Sequence, residues 1–224
     1  MLETLFVRRL ALSLLLLCLL ALCAAPCMAQ TGKKPQPRPG TIQPGPELIA
    51  ELDEHDPEVW QRFTSAEGQF SILFPGVPED KALVQEAKAG KITGHQYQLI
   101  STMALYQVIF ANLPVRIDTP EKTKIMLDGM RTDALESDPG KLLSESDMTI
   151  EGYPGRYIVW RTDKGVIYKV RYIIASNRVY SLLFGIPENV DSGRPDESPE
   201  QTQRFMETVA TKFFDSFKIS SQPK

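Results

Sequence analysis

From Val59 onward the residues alternate between apolar and polar in segment after segment, with short Gly- and Asn-containing breaks between them. Neighbouring side chains of a strand point to opposite faces of a sheet, so a period of two fits a half-buried strand and not a helix. The pattern predicts strands at Gln69–Phe74, Lys81–Ala87, Ile92–Met103, Leu105–Leu113, Lys141–Ile150, Arg156–Thr162, Val166–Ala175 and Arg178–Phe184. Lys88-Ala89-Gly90, Asp163-Lys164-Gly165 and Ser176-Asn177 supply residues that tolerate the positive φ of tight hairpins. The last three strands are therefore expected to form an antiparallel meander.

Two helices break this rhythm. Thr119-Pro120 opens the first, with Ile125, Leu127 and Met130 among its apolar residues, and Asp138-Pro139-Gly140 stops it near Ser137. In the second, Ser198 is the N-cap, Pro199 takes the first helical position and Gln201 completes a capping box. Met206, Val209, Phe213 and Phe217 follow at helical spacing, and Phe214 widens their apolar stripe, which is expected to cover a sheet face. Val166, Tyr168, Val170, Tyr172 and Ile174 share one face of their strand. The other face carries Ile167, Lys169, Arg171 and Ile173 and is mixed rather than polar, so both sides of the sheet are expected to be covered at least in part. The fold class that follows is α+β, a central antiparallel sheet with helices packed against it, spanning residues 59–219.

The start of the chain points to export. Arg8 and Arg9 precede an apolar run from Leu10 to Ala25, too short to span a ~30 Å hydrocarbon core comfortably, and Cys27-Met28-Ala29 puts small residues at −3 and −1 of a cleavage site after Ala29. Residues 1–29 read as a signal peptide, with an uncleaved membrane anchor as the alternative. Cys18, Cys23 and Cys27 all lie within it, so the mature chain is expected to have no thiol, disulfide or thiolate ligand. A lipid-accepting cysteine would follow a small residue, whereas Cys23 follows Leu22 and Cys27 follows Pro26. Leader removal takes Glu3, Arg8 and Arg9 and shifts the formal net charge from −3 to −4, which disfavours nucleic acid as a partner. Residues 30–46 read as a linker, Thr31 to Pro46 holding five prolines and three glycines with almost nothing apolar. A short acidic helical segment at 47–58 precedes the domain, and residues 220–224 form a tail.

The run Trp60-Gln-Arg-Phe-Thr-Ser-Ala-Glu-Gly68-Gln-Phe-Ser-Ile-Leu-Phe-Pro75-Gly-Val-Pro78 resembles the opening of PsbP-like domains: an aromatic strand, a Gly-centred turn and a Phe-Ser-(apolar)-(apolar)-Phe-Pro strand. The ending resembles them too, in a meander through Tyr168, Tyr172 and Tyr180 and a terminal helix closing on Phe213-Phe-Asp-Ser-Phe217. The resemblance covers most of Trp60 to Ile219 and implies an αβα sandwich. Family members include lumen-side subunits of the photosynthetic oxygen-evolving complex, binders of a small nuclear GTPase, and many secreted bacterial proteins without an assigned role. The Pro-rich linker and the Phe-Pro-Gly-Val-Pro form are similar to the bacterial members. No functional residue of the family matches here position by position, so the resemblance implies a non-enzymatic interaction module by analogy alone.

The residues themselves supply little reaction machinery. Nucleophile-elbow, Walker and dinucleotide motifs are all missing from the sequence. His55 and His95 are forty residues apart without metal-ligand spacing. Glu51, Asp53, Glu54, Asp56 and Glu58 lack the glycine turn of a calcium loop and read as a solvated acidic face, while Asp196, Glu197 and Glu200 suit a helix N-terminus. No catalytic, cofactor-binding or metal-ligating residue is therefore assigned, and no cofactor is expected. The candidate surface is an Arg/Tyr patch on the meander: Arg156, Tyr157, Arg161, Lys169, Arg171, Tyr172, Arg178 and Tyr180, residue types common in protein interfaces. Its alternative is a set of cross-strand ion pairs.

The expectation is an exported, periplasmic or extracellular, non-catalytic binding module whose partner is a protein or cell-envelope component. It would bind through a sheet edge, the meander or the Arg/Tyr surface, and meet a membrane only through an uncleaved leader. Two alternatives stay open: a ligand-binding or hydrolase-like protein with a pocket between helix and sheet, and a weak divalent-cation binder.

Overall fold

A computed structural model describes residues 53–220 apart from 88, 191 and 193. The leader, the linker and residues 47–52 of the acidic segment lie outside the described residues. Asp53 to Asp56 form a turn leading into a single 3-10 turn, Pro57–Val59, where an α-helix was expected.

The strands are β1 (Gln61–Ser65), β2 (Phe70–Phe74), β3 (Glu79–Ala87), β4 (Gly90–Ile100), β5 (Leu105–Asn112), β6 (Gly140–Ile150), β7 (Tyr153–Thr162), β8 (Val166–Ala175), β9 (Arg178–Pro187) and β10 (Lys218–Ile219). The helices are α1 (Pro120–Ser137), between β5 and β6, and α2 (Pro199–Asp215), between β9 and β10. Seven strands form one antiparallel sheet in the order β3-β4-β5-β9-β8-β7-β6, and β1-β2-β10 form a small second sheet. The meander is the run β7-β8-β9, closed by Gly165 at φ 74 and Ser176 at φ 62. Glu151 and Gly152 make the two-residue turn between β6 and β7, at φ 51 and 85, and β7 starts at Tyr153. The strand expected to reach Met103 stops at Ile100, because the Ser101 hydroxyl captures the amides of Met103 and Ala104.

The sheet separates two cores. On one face α2 and β2 pack Phe70, Ile72, Phe74, Met206, Val209 and Phe213 against Tyr106, Val108, Tyr180, Leu182 and Phe184. On the other, Met126, Leu127, Met130 and Ala134 of α1 pack on Ile158, Trp160, Tyr168, Val170, Tyr172 and Ile174. This is an α+β arrangement with the antiparallel sheet between helices. The small sheet is an addition that the strand pattern did not foresee, since two-residue β10 is too short to show a period.

Helix capping follows the sequence closely. Ser198 and Gln201 form both halves of the capping box, and Thr119 accepts from the Lys122 amide. Ile125 departs from expectation: it is 71% exposed, because the buried stripe runs through Met126, Leu127, Met130, Asp133 and Ala134, about 100° away.

Candidate functional site

The eight residues expected to share one patch do not. Alternation along β7 and β8 places Arg156 and Tyr172 toward α1, while Tyr157, Lys169 and Arg171 face α2. Tyr172 and Tyr180 are each 1% exposed, in different cores. The cations are committed within the fold. Arg161 pairs with Glu188 at 2.7 Å, Lys169 is buried against Glu207, and Arg171 reaches Asp215 at 2.8 Å with its guanidinium 4.9 Å from the Phe214 ring centre. Arg178 and Tyr180 both donate to the Gly68 carbonyl, at 3.1 and 2.9 Å, clamping the β1–β2 turn to the large sheet. Adjacent strands bring these residues near one another, but alternation along each strand sends them to opposite faces, and a charge on a covered face must find a partner there.

Arg156 has the densest set of contacts. Its Nη1 lies 2.6 Å from Asp128 of α1 and 3.0 Å from Glu145, and its Nε donates to Asp147 at 2.8 Å. Lys124 pairs with Asp128 at 2.6 Å and Arg131 with Glu145 at 2.7 Å, extending the network along the helix. Lys124 and Arg156 together hold the Asp128 carboxyl below its ordinary range.

Beside this network a groove of about 760 Å³ opens between α1 and the β6–β7 hairpin. Ile117, Pro120, Leu127, Met148, Pro154 and Ile174 give it an apolar floor and walls, and Tyr153 stands at its lip. The charged lining is Arg116, Lys124 and Arg156 with Asp118 and Asp147. Asp118 is bonded to Lys122 at 2.7 Å, which lowers its pKa. Size and lining suit a small molecule. Of the groove residues, sequence reasoning offered Arg156 alone as a functional candidate; Thr119, Pro120, Leu127 and Ile174 entered it only as helix-start or core-face positions. The available signal was local: a two-residue turn at Glu151-Gly152 followed by Tyr153-Pro154-Gly155 places an aromatic and a proline opposite the start of α1.

The histidines lie outside the groove lining. His95 sits between Asp80 at 2.6 Å and Glu67 at 3.2 Å, stacked with Tyr97 and Phe110. His55 lies flat on Phe205, with ring centres 3.5 Å apart, and pairs with Asp53 and Glu197, while Arg194 takes the other oxygen of Asp53. The two acidic stretches of the sequence thus meet, with a histidine and an arginine between their carboxylates. Glu54, expected to be solvated, is 3% exposed: Ser101 and Tyr106 both donate to its Oε1, drawing it into the β4–β5 turn. Among the described residues no group of His, Asp and Glu could hold a metal ion, and no helix is long and apolar enough to cross a membrane.

No protein-family model matches the chain, and the search of curated proteins found no match. Among solved structures the chain is similar to cyanobacterial PsbP (CyanoP) from Synechocystis sp. PCC 6803, at 9% identity and a TM-score of 0.45, covering 80% of this chain and 98% of that one. It is also similar to PA94 of Pseudomonas aeruginosa, a protein of unknown function, at 11% identity and a TM-score of 0.35, covering 74% of this chain and 99% of that one. A third is a protein from Bacteroides thetaiotaomicron VPI-5482, at 9% identity and a TM-score of 0.36, covering 73% of this chain and 49% of that one.

Proposed function

We propose that this chain is a non-catalytic binding module, exported by its N-terminal leader to the cell envelope, and that it takes a small molecule in the groove between α1 and the β6–β7 hairpin. One observation carries the reading: the carboxylates in and behind the groove, Asp118, Asp128, Glu145 and Asp147, are all hydrogen-bonded or ion-paired to a cation. For Asp118 and Asp128 these partners favour the charged form, which suits recognition and is the opposite of a carboxyl poised for proton transfer. The surfaces first expected to meet a protein support it less well. The meander cations are spent internally. The edge strands β3 and β6 carry Glu79, Asp80, Lys81, Lys141, Glu145 and Asp147, and β6 has a register shift at Leu143, features that discourage strand addition.

The test is a small-molecule thermal-shift screen of the full chain and a Thr123→Trp variant, Thr123 lying in the groove wall. Saturable stabilisation of the wild type that the folded variant lacks supports the reading. Ligands that stabilise both equally overturn the groove assignment. Turnover that one groove substitution abolishes overturns the non-catalytic assignment.

A further inference from the structure

Resting on the groove as the binding site, the geometry points to its ligand class: we infer that the groove takes a small amphipathic monoanion, with one carboxylate-like head at Arg116 and an apolar body along Ile117, Leu127, Met148 and Ile174.

The head group follows from accounting for each charge around the groove. Arg156 is saturated, its guanidinium within 3.0 Å of Asp128, Glu145 and Asp147. Lys124 is held by Asp128, Arg131 by Glu145, and Asp118 by Lys122. Arg116 is the lining cation for which no ion pair or hydrogen bond occurs among the described residues; Asp118 feels its charge, but that carboxylate is bonded to Lys122. A guanidinium is never deprotonated at ordinary pH and presents a planar fork that a carboxylate matches in two bonds. The lining therefore keeps one formal positive charge on a chain whose net charge is −3. A dianion would bring a second charge with no free cation to meet it, and a cationic ligand would face Arg116 itself.

The body follows from the floor. Leu127 and Ile174 belong to the core between α1 and the sheet, and the groove brings them to its surface alongside Ile117, Met148 and Pro154. Leu127 and Ile174 are only 4% and 2% exposed and close off the bottom, so the apolar area a ligand takes out of water is that of half-buried Ile117 and Met148 and exposed Pro154, at roughly 25 cal/mol per Å² and without disturbing an ion pair. Specificity then has two separable parts, a charge term at Arg116 and an area term along the floor.

Decanoate and decanamide, titrated calorimetrically into the full chain below their aggregation concentrations, separate these terms. Wild type is expected to bind decanoate more tightly than decanamide. Arg116→Gln is expected to weaken decanoate by about five- to tenfold and leave decanamide nearly unchanged. High salt should weaken decanoate alone. Thr123→Trp should abolish both. Decanoate binding that ignores Arg116→Gln, or no saturable decanoate binding, overturns the monoanion assignment; if decanamide still binds in a Thr123→Trp-sensitive way, the groove reading survives that failure. Binding of both that ignores Thr123→Trp overturns the groove as well.

Discussion

Arg156 of β7 reaches across to Asp128 of α1 at 2.6 Å, tying the helix to the sheet beside the groove floor. The Arg156 side chain is nine-tenths buried, whereas Asp128 is 44% exposed and can return to water if the pair is broken. Arg156→Leu is therefore expected to destabilise by about 1 to 3 kcal/mol, less than the roughly 3 to 5 kcal/mol that breaking a fully buried pair costs. The Asp128 carboxyl has a depressed pKa in the fold, so the contribution is present above its unfolded value near 3.8 and lost as pH falls through the lower folded value. Chemical denaturation of wild type and variant should show the gap narrowing below that range, and a gap that does not depend on pH would contradict this account.

Asp133 is the opposite case. It lies on the sheet-facing stripe of α1, 1% exposed, with neither carboxylate oxygen hydrogen-bonded, and burial with Glu136 nearby raises its pKa to about 6. Tyr172 on the facing strand is the other ionisable group that feels its charge. A folded pKa above the unfolded one means that ionisation costs stability as pH rises from about 4 to about 6. Asp133→Asn is expected to stabilise the protein by roughly 1 to 3 kcal/mol at pH 7 and by almost nothing at pH 3.5. Urea midpoints at the two pH values measure this directly.

Lys169 and Glu207 should respond asymmetrically. The Lys169 side chain is 8% exposed beneath α2, and Glu207 is 53% exposed. Replacing the lysine by methionine fills the same space with apolar atoms and frees an already hydrated carboxylate, for a change within about 1 kcal/mol. Glu207→Leu strands an ammonium under the helix and should cost roughly 2 kcal/mol. In the double variant the second loss should disappear, which a double-mutant cycle reads out.

Two glycines of the β6–β7 hairpin should differ sharply. A Cβ on Gly155 would lie 2.3 Å from the Tyr172 carbonyl oxygen on the neighbouring strand, so Gly155→Ala must push β7 and β8 apart, at a cost above about 2 kcal/mol. Gly152 has open space around it and only its φ of +85 to satisfy, so Gly152→Ala should cost about 1 kcal/mol. Equal thermal shifts in the two variants would be inconsistent with this geometry.

The strands and helices were readable where a period is long enough to show. Tyr168, Val170, Tyr172 and Ile174 fall in one core as their alternation requires, and Ser198 and Gln201 cap α2 as their spacing requires. Ile125 was not readable, since an apolar residue beside a stripe looks like part of it until the helix is set on its sheet. Glu54 and Asp133 were hidden for a related reason: an isolated carboxylate in a sequence looks solvated, and here Ser101 and the facing sheet bury them.

The antiparallel meander and the two capped helices could be read from the residues alone, because they depend on neighbours within about ten positions. Tertiary structure alone decided which charges are spent and where a cavity opens. Arg156, Asp128, Glu145 and Asp147 come from one helix and two strands, and only their packing saturates Arg156 and leaves Arg116 at the groove with no ion pair among the described residues. The physical reason is that pairing and enclosure depend on distances of a few ångströms between elements, which no local period encodes.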